Sequence, residues 1–143
     1  MKQNMKKMGA LLLTLAIVIT AAGCTTAGKN NVGGETITVK DGATIGEGSK
    51  SLAVEVVDGE GTSVSFTVKT DEKTVGEALQ ALQVLSGEEG PYGLYIKEVN
   101  GIVADYEKDA TYWGFYINGE YAVTGADMTD AVDGDSYIFK VEK

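Results

Sequence analysis

Apolar residues alternate with polar or small ones along two stretches near the middle of the chain. Leu52, Val54 and Val56 occupy every second position of Ser51–Val57, and Val64, Phe66 and Val68 alternate with Ser65, Thr67 and Lys69 in Ser63–Thr70. A period of two marks a strand with one buried face, and the polar turn Asp58-Gly59-Glu60-Gly61-Thr62 predicts that the two form an antiparallel hairpin. The period then lengthens. Val75, Ala78, Leu79, Leu82 and Leu85 fall on one face of a helix that opens with a capping box, Thr74 with Glu77 three residues on, and Gly87 is available to close it. A single apolar stripe predicts a single buried face, lying across the hairpin. Two Asn-Gly pairs then mark type I′ turns, because these residues most readily adopt positive φ. Asn100-Gly101 joins Leu94–Val99 to Ile102–Tyr106, Asn118-Gly119 joins Tyr112–Ile117 to Glu120–Thr124, and a last strand, Ser136–Val141, follows Asp133-Gly134-Asp135. Strand, strand, helix and then more strands predict an α+β fold, β-grasp-like, with one helix on a mainly antiparallel sheet.

The N-terminal pattern is different. Lys2, Lys6 and Lys7 precede an apolar run from Met8 to Ala22, the layout of a secretion signal. The run is short for a transmembrane helix, which needs about 20 predominantly apolar residues. It ends in Ala21-Ala22-Gly23-Cys24, which resembles the lipobox of bacterial lipoproteins, where the cysteine is acylated and becomes the mature N-terminus. Residues 1–23 are therefore expected to be a lipoprotein signal peptide and Cys24 the lipidated residue. Residues 24–50, rich in Gly, Thr, Asn and Lys, read as a flexible tether, and residues 51–143 as the folded domain. The expected location is the cell membrane, lipid-anchored and facing outside the cytoplasm.

Charge and composition narrow the chemistry. Beyond residue 23 stand 9 lysines against 21 acidic residues, a net charge of −12, and the chain has no arginine. Nucleic acid is a poor partner for such a surface, since that contact needs clustered cations. Histidine is absent and Cys24 is the sole cysteine, which removes Ser-His-Asp and Cys-His arrangements and the usual zinc ligands. Asp127, Asp130, Asp133 and Asp135 cluster before the last strand, yet their spacing does not match a calcium loop, and a solvated turn explains them. Gly46 to Ser51 lacks the Gly-Lys-Ser/Thr order of a phosphate loop. No catalytic residue and no metal ligand is assigned, and no enzyme is expected.

The second Asn-Gly hairpin holds the densest aromatic chemistry. Its two-residue turn sets Tyr116 opposite Tyr121 and Phe115 opposite Ala122, so Trp113, Phe115, Ile117 and Ala122 share one face, while Tyr112, Gly114, Tyr116, Tyr121 and Val123 share the other. The first face lacks hydroxyls and is the better core candidate. On the second, Gly114 leaves a gap between tyrosines where something flat could lie. Cross-strand tyrosines also stabilise sheets with no ligand at all, so the pattern alone leaves both readings open.

The segment Gly93–Gly125, "GLYIKEVNGIVADYEKDATYWGFYINGEYAVTG", together with the closing "DGDSYIFKVEK" and the helix "TVGEALQAL", resembles the transcobalamin-like C-terminal domain of bacterial surface lipoproteins. The resemblance spans Ser51 to Lys143 and implies a β-grasp domain that binds a soluble ligand, with a corrinoid (cobalamin) as the ligand class. Carried onto this chain, it places Tyr112 and Trp113 on the family's Tyr-Trp pair and Gly114 and Phe115 on the stretch that meets the ligand. Tyr116 and Tyr121 join them from the hairpin itself. The chain lacks the helical partner domain of the animal vitamin B12 carriers and any histidine for cobalt. The expectation is a non-catalytic binding module for a small soluble ligand, acting in uptake beside a transporter or a separate helical chain. The alternative is a surface module that docks a partner protein through its tyrosine-rich hairpin.

Overall fold

The computed structural model describes residues 35–143; the leader, Cys24 and the first part of the tether lie outside the described residues. Nine strands and two short helices follow in the order β1 Thr44–Gly46, β2 Lys50–Val57, β3 Ser63–Thr70, α1 Val75–Ala81, β4 Leu85–Gly90, β5 Gly93–Val99, β6 Ile102–Val103, α2 Tyr106–Asp109, β7 Tyr112–Ile117, β8 Glu120–Tyr121 and β9 Ser136–Glu142. A 3-10 turn, Ala126–Met128, precedes β9. The strands form a six-stranded sheet in the order β1-β3-β2-β9-β7-β8 and a three-stranded sheet, β4-β5-β6. This is an α+β fold, as the order of periodicities predicts. Most pairings are antiparallel, as expected, but the large sheet is mixed, since β1 runs parallel to β3 and β2 parallel to β9.

The predicted hairpin is present, with Val54 opposite Phe66 and Leu52 opposite Val68. Those four residues are buried, and Val75, Ala78 and Leu79 of α1 bury their stripe in the same core. The capping box forms as read: Thr74 Oγ1 accepts from Glu77 N at 3.2 Å, and Glu77 Oε2 accepts from Thr74 N at 3.2 Å. The helix closes earlier than Gly87. Gln83 takes φ 58°, its N–H donates to Gln80 O at 3.0 Å and Val84 N–H donates to Leu79 O at 2.9 Å, a Schellman closure with glutamine in the usual glycine position. Leu85 therefore belongs to β4, a strand whose sequence, Leu-Ser-Gly-Glu-Glu-Gly, carries no alternation. Gly87 serves that strand, because a Cβ there would strike the carbonyl of Tyr95 on β5.

The boundary of the folded part also moves. Residues 24–50 were expected to be tether, but the chain is built into the domain from Thr36 onward. Thr36 N donates to Glu98 Oε1 at 3.1 Å, Val39 is 5% exposed and β1 extends the large sheet. The holding group is Asn100, itself buried: its Oδ1 accepts from Val39 N at 2.5 Å, its Nδ2 donates to Val39 O at 3.3 Å, and its N–H donates to Val84 O at 2.7 Å. A mostly polar segment thus gains its place through hydrogen bonds to groups elsewhere, Asn100 foremost, rather than through an apolar pattern of its own. Among the described residues, no helix is long and apolar enough to cross a membrane.

Candidate aromatic cleft

Alternation along β7 sends Trp113 and Phe115 to the interior, where Phe115 stacks on Phe139 of β9 at a centroid distance of 5.0 Å. Trp113 Nε1 donates to Lys97 O at 3.3 Å, so the indole ties the large sheet to the small one. The turn sets Tyr116 opposite Tyr121 and Ile117 opposite Glu120, the predicted register. Pairing then stops. Ala122 N still donates to Phe115 O at 2.9 Å, but β8 is only two residues long and the chain beyond it leaves β7. A cleft of about 280 Å³ opens there, with Trp113 and Phe115 on β7, Leu94, Tyr95 and Ile96 on β5, and the segment 121–126 as its walls. Tyr112 and Tyr121 also border it.

The other face of the hairpin is arranged differently from the sequence expectation. β7 pairs with β9 so that Tyr112 lies opposite Glu142 and Gly114 opposite Lys140. The Tyr116 hydroxyl donates to Glu142 Oε1, and a Cβ at Gly114 would come within 2.9 Å of that carboxylate. The gap beside Gly114 is therefore filled by Glu142 and is not open to a flat ligand. Tyr116 packs edge-on against Tyr121 at 5.3 Å. The hydrogen bond to Glu142, with desolvation and the carboxylate's charge behind it, pushes the Tyr116 phenol up to about 12. Burial, and then the Glu142 charge, raises Tyr112 as well. Both phenols are neutral donors at any physiological pH.

The six aromatic-hairpin residues thus divide. Tyr112, Trp113, Phe115 and Tyr121 meet at the cleft; Gly114 and Tyr116 lie on the side closed by Glu142. Missing from the sequence reading were Leu94, Tyr95 and Ile96, which stand opposite from a different hairpin. The signal available for them was local only: an exposed aromatic, Tyr95, in a strand already predicted. A second depression of about 240 Å³ lies over β2 and β3 and is bordered mainly by small or polar residues such as Ala43, Ala53, Ser65 and Thr67. None of the aromatic-hairpin residues reaches it.

The aspartates before β9 have separate tasks. Asp127 Oδ2 accepts from Leu94 N at 3.1 Å, and Asp133 Oδ1 accepts from Ser51 N at 2.7 Å. Among the described residues, no group of three or more His, Cys, Asp or Glu side chains could hold a metal ion.

An α+β domain with an aromatic cleft between its two sheets is the class that this geometry defines. Residues 72–143 match the family model described as "Domain of unknown function (DUF4430)", and the chain belongs to that family. Among solved structures, the chain is similar to a protein of Ruminococcus gnavus provisionally described as a metal binding protein, at 35% identity and a TM-score of 0.62, with 66% of this chain and 98% of that chain covered. It is also similar to haptocorrin in complex with Cbi, at 23% identity and a TM-score of 0.49, with 66% of this chain but only 25% of that one covered. The chain thus spans about a quarter of haptocorrin. No curated protein matches it.

Proposed function

We propose that this protein is a membrane-anchored, extracytoplasmic lipoprotein whose domain is a non-catalytic binding module of transcobalamin-like, β-grasp type, taking a small soluble ligand in the aromatic cleft. A corrinoid is the first candidate, bound for uptake. The observation that carries the reading is the cleft itself: apolar and aromatic walls with a few polar groups at the rim, the usual make-up of a small-molecule site. Four of the six hairpin residues singled out from the sequence border it. The anchoring part rests on the Ala-Ala-Gly-Cys sequence ending at Cys24.

Calorimetric titration of the full-length chain, held in neutral detergent, with cobalamin and cobinamide tests the ligand. Saturable heat with one of them, weakened at least tenfold by Tyr121→Ala, is the expected result. Tyr121 is 61% exposed, so its truncation leaves the core intact. No heat with either compound at high micromolar protein removes the corrinoid reading.

A further inference from the structure

Charge is distributed unevenly around the cleft. Eight lysines stand against 21 acidic residues between Glu35 and Lys143, a net charge of −13 for the described part. None of the residues lining the cleft is cationic. One carboxylate sits beside the cleft: Asp127, bonded to Leu94 N and close to Gly93 and Gly125. Among the described residues it forms no salt bridge, the two ion pairs being Lys97 with Glu88 at 3.2 Å and Lys108 with Asp105 at 3.6 Å. The Lys97 ammonium lies 6.0 Å from the Tyr95 ring centre, and its charge is held by Glu88. Lys140 stands opposite Gly114, on the same face as Glu142 and away from the cleft.

Aromatic faces attract cations through the ring quadrupole, and the field of a net negative domain draws cations rather than anions toward an uncharged, apolar-walled cleft. Tyr95, Tyr112, Trp113 and Tyr121 supply the rings. Asp127 and the net negative charge of the domain supply the sign. We infer that the cleft is selective for organic cations, placing a substituted ammonium or a similarly diffuse positive charge against the tyrosine rim and rejecting anions of the same shape. This inference rests on the cleft being a ligand site and adds the charge of what enters it.

Trp113 is the sole tryptophan of the chain and borders the cleft, so its emission reports occupancy directly. Full-length protein in neutral detergent is titrated with choline, with its uncharged isostere 3,3-dimethylbutanol and with the anion 3,3-dimethylbutanoate. The expected result is a saturable change with choline, roughly tenfold weaker binding of the uncharged isostere, and none of the anion, as two or three cation–π contacts would produce. Tyr121→Leu keeps the apolar bulk and removes the ring, and is expected to weaken choline about threefold more than it weakens the isostere. Equal affinity for choline and its isostere, or stronger binding of the anion, overturns the charge selection. If corrinoids still give heat in that case, the cleft remains a ligand site without charge preference. If neither corrinoids nor any of the three probes bind, the ligand-site reading fails with it.

Discussion

Glu142 changes what the tyrosines of β7 are for. Its carboxylate accepts the Tyr116 hydroxyl and fills the space that Gly114 leaves, so one face of the hairpin is a closed polar cluster rather than a platform. The fold favours the neutral phenol at Tyr116, whose pKa rises from the ordinary value of 10 to about 12. A group raised in this way stabilises the fold fully below its unfolded pKa, and the contribution is lost as pH climbs through the folded one. Stability is therefore expected to fall between about pH 10 and pH 12, with Tyr112 shifted in the same direction. Urea midpoints measured across that window check it: Tyr116→Phe should flatten the decline, and an unchanged slope in that variant would show that the bond to Glu142 is not its source. The alternation that splits Trp113 and Phe115 from Tyr112 and Tyr116 is plain in six consecutive residues. Glu142 is not legible as their neighbour, because it comes from a register between strands 30 residues apart.

At the scale of elements, what could be read depended on whether an element buries its own stripe. β2, β3 and α1 do, and their positions follow from spacing alone. β4 and β1 do not, since each is held by groups elsewhere, and the sequence marks neither. Asn100 shows the difference best. As half of an Asn-Gly turn it is readable, with φ 53° as a type I′ turn requires. Its second task, clamping both backbone groups of Val39, is invisible without the fold. Asn100→Gly preserves the turn conformation and removes only the clamp. It is expected to cost about 1–3 kcal/mol, the penalty for a buried donor left without its acceptor. Asn118→Gly also loses one side-chain bond, to Ser136 N, but at an exposed site, and should cost well under half as much. Chemical denaturation of the two variants side by side decides it; equal losses would mean that the Val39 clamp contributes nothing particular. The cleft was half readable for the same reason. The β7 wall lies in one hairpin, whereas the β5 wall meets it only because β6 and β8 are both two residues long and leave the neighbouring edges free.

For the whole molecule the proposed anchor makes the simplest claim. Acylation at Cys24 should place the protein in the membrane fraction and label it with fatty acid. Cys24→Ser is expected to abolish the label and release the protein, since a peptide anchor with no acyl chain has little to hold it. A variant that stays in the membrane and still takes up label would sink the lipoprotein reading. The acidic surface fits a domain kept soluble and apart from its neighbours by its own charge.

The way the chain enters the domain also decides where a load would be felt. A pull on the residues ahead of Glu35 does not meet a strand ladder first. It meets Thr36 on Glu98 and Val39 on Asn100, side-chain fasteners on and just beyond the end of β5, the strand that forms one wall of the cleft. Only past them does β1 share the strain with β3. Tension on the chain ahead of Glu35 would thus be delivered to the cleft wall before it reaches the large sheet, which makes the segment from Thr36 a mechanical extension of the cleft rather than a passive lead-in.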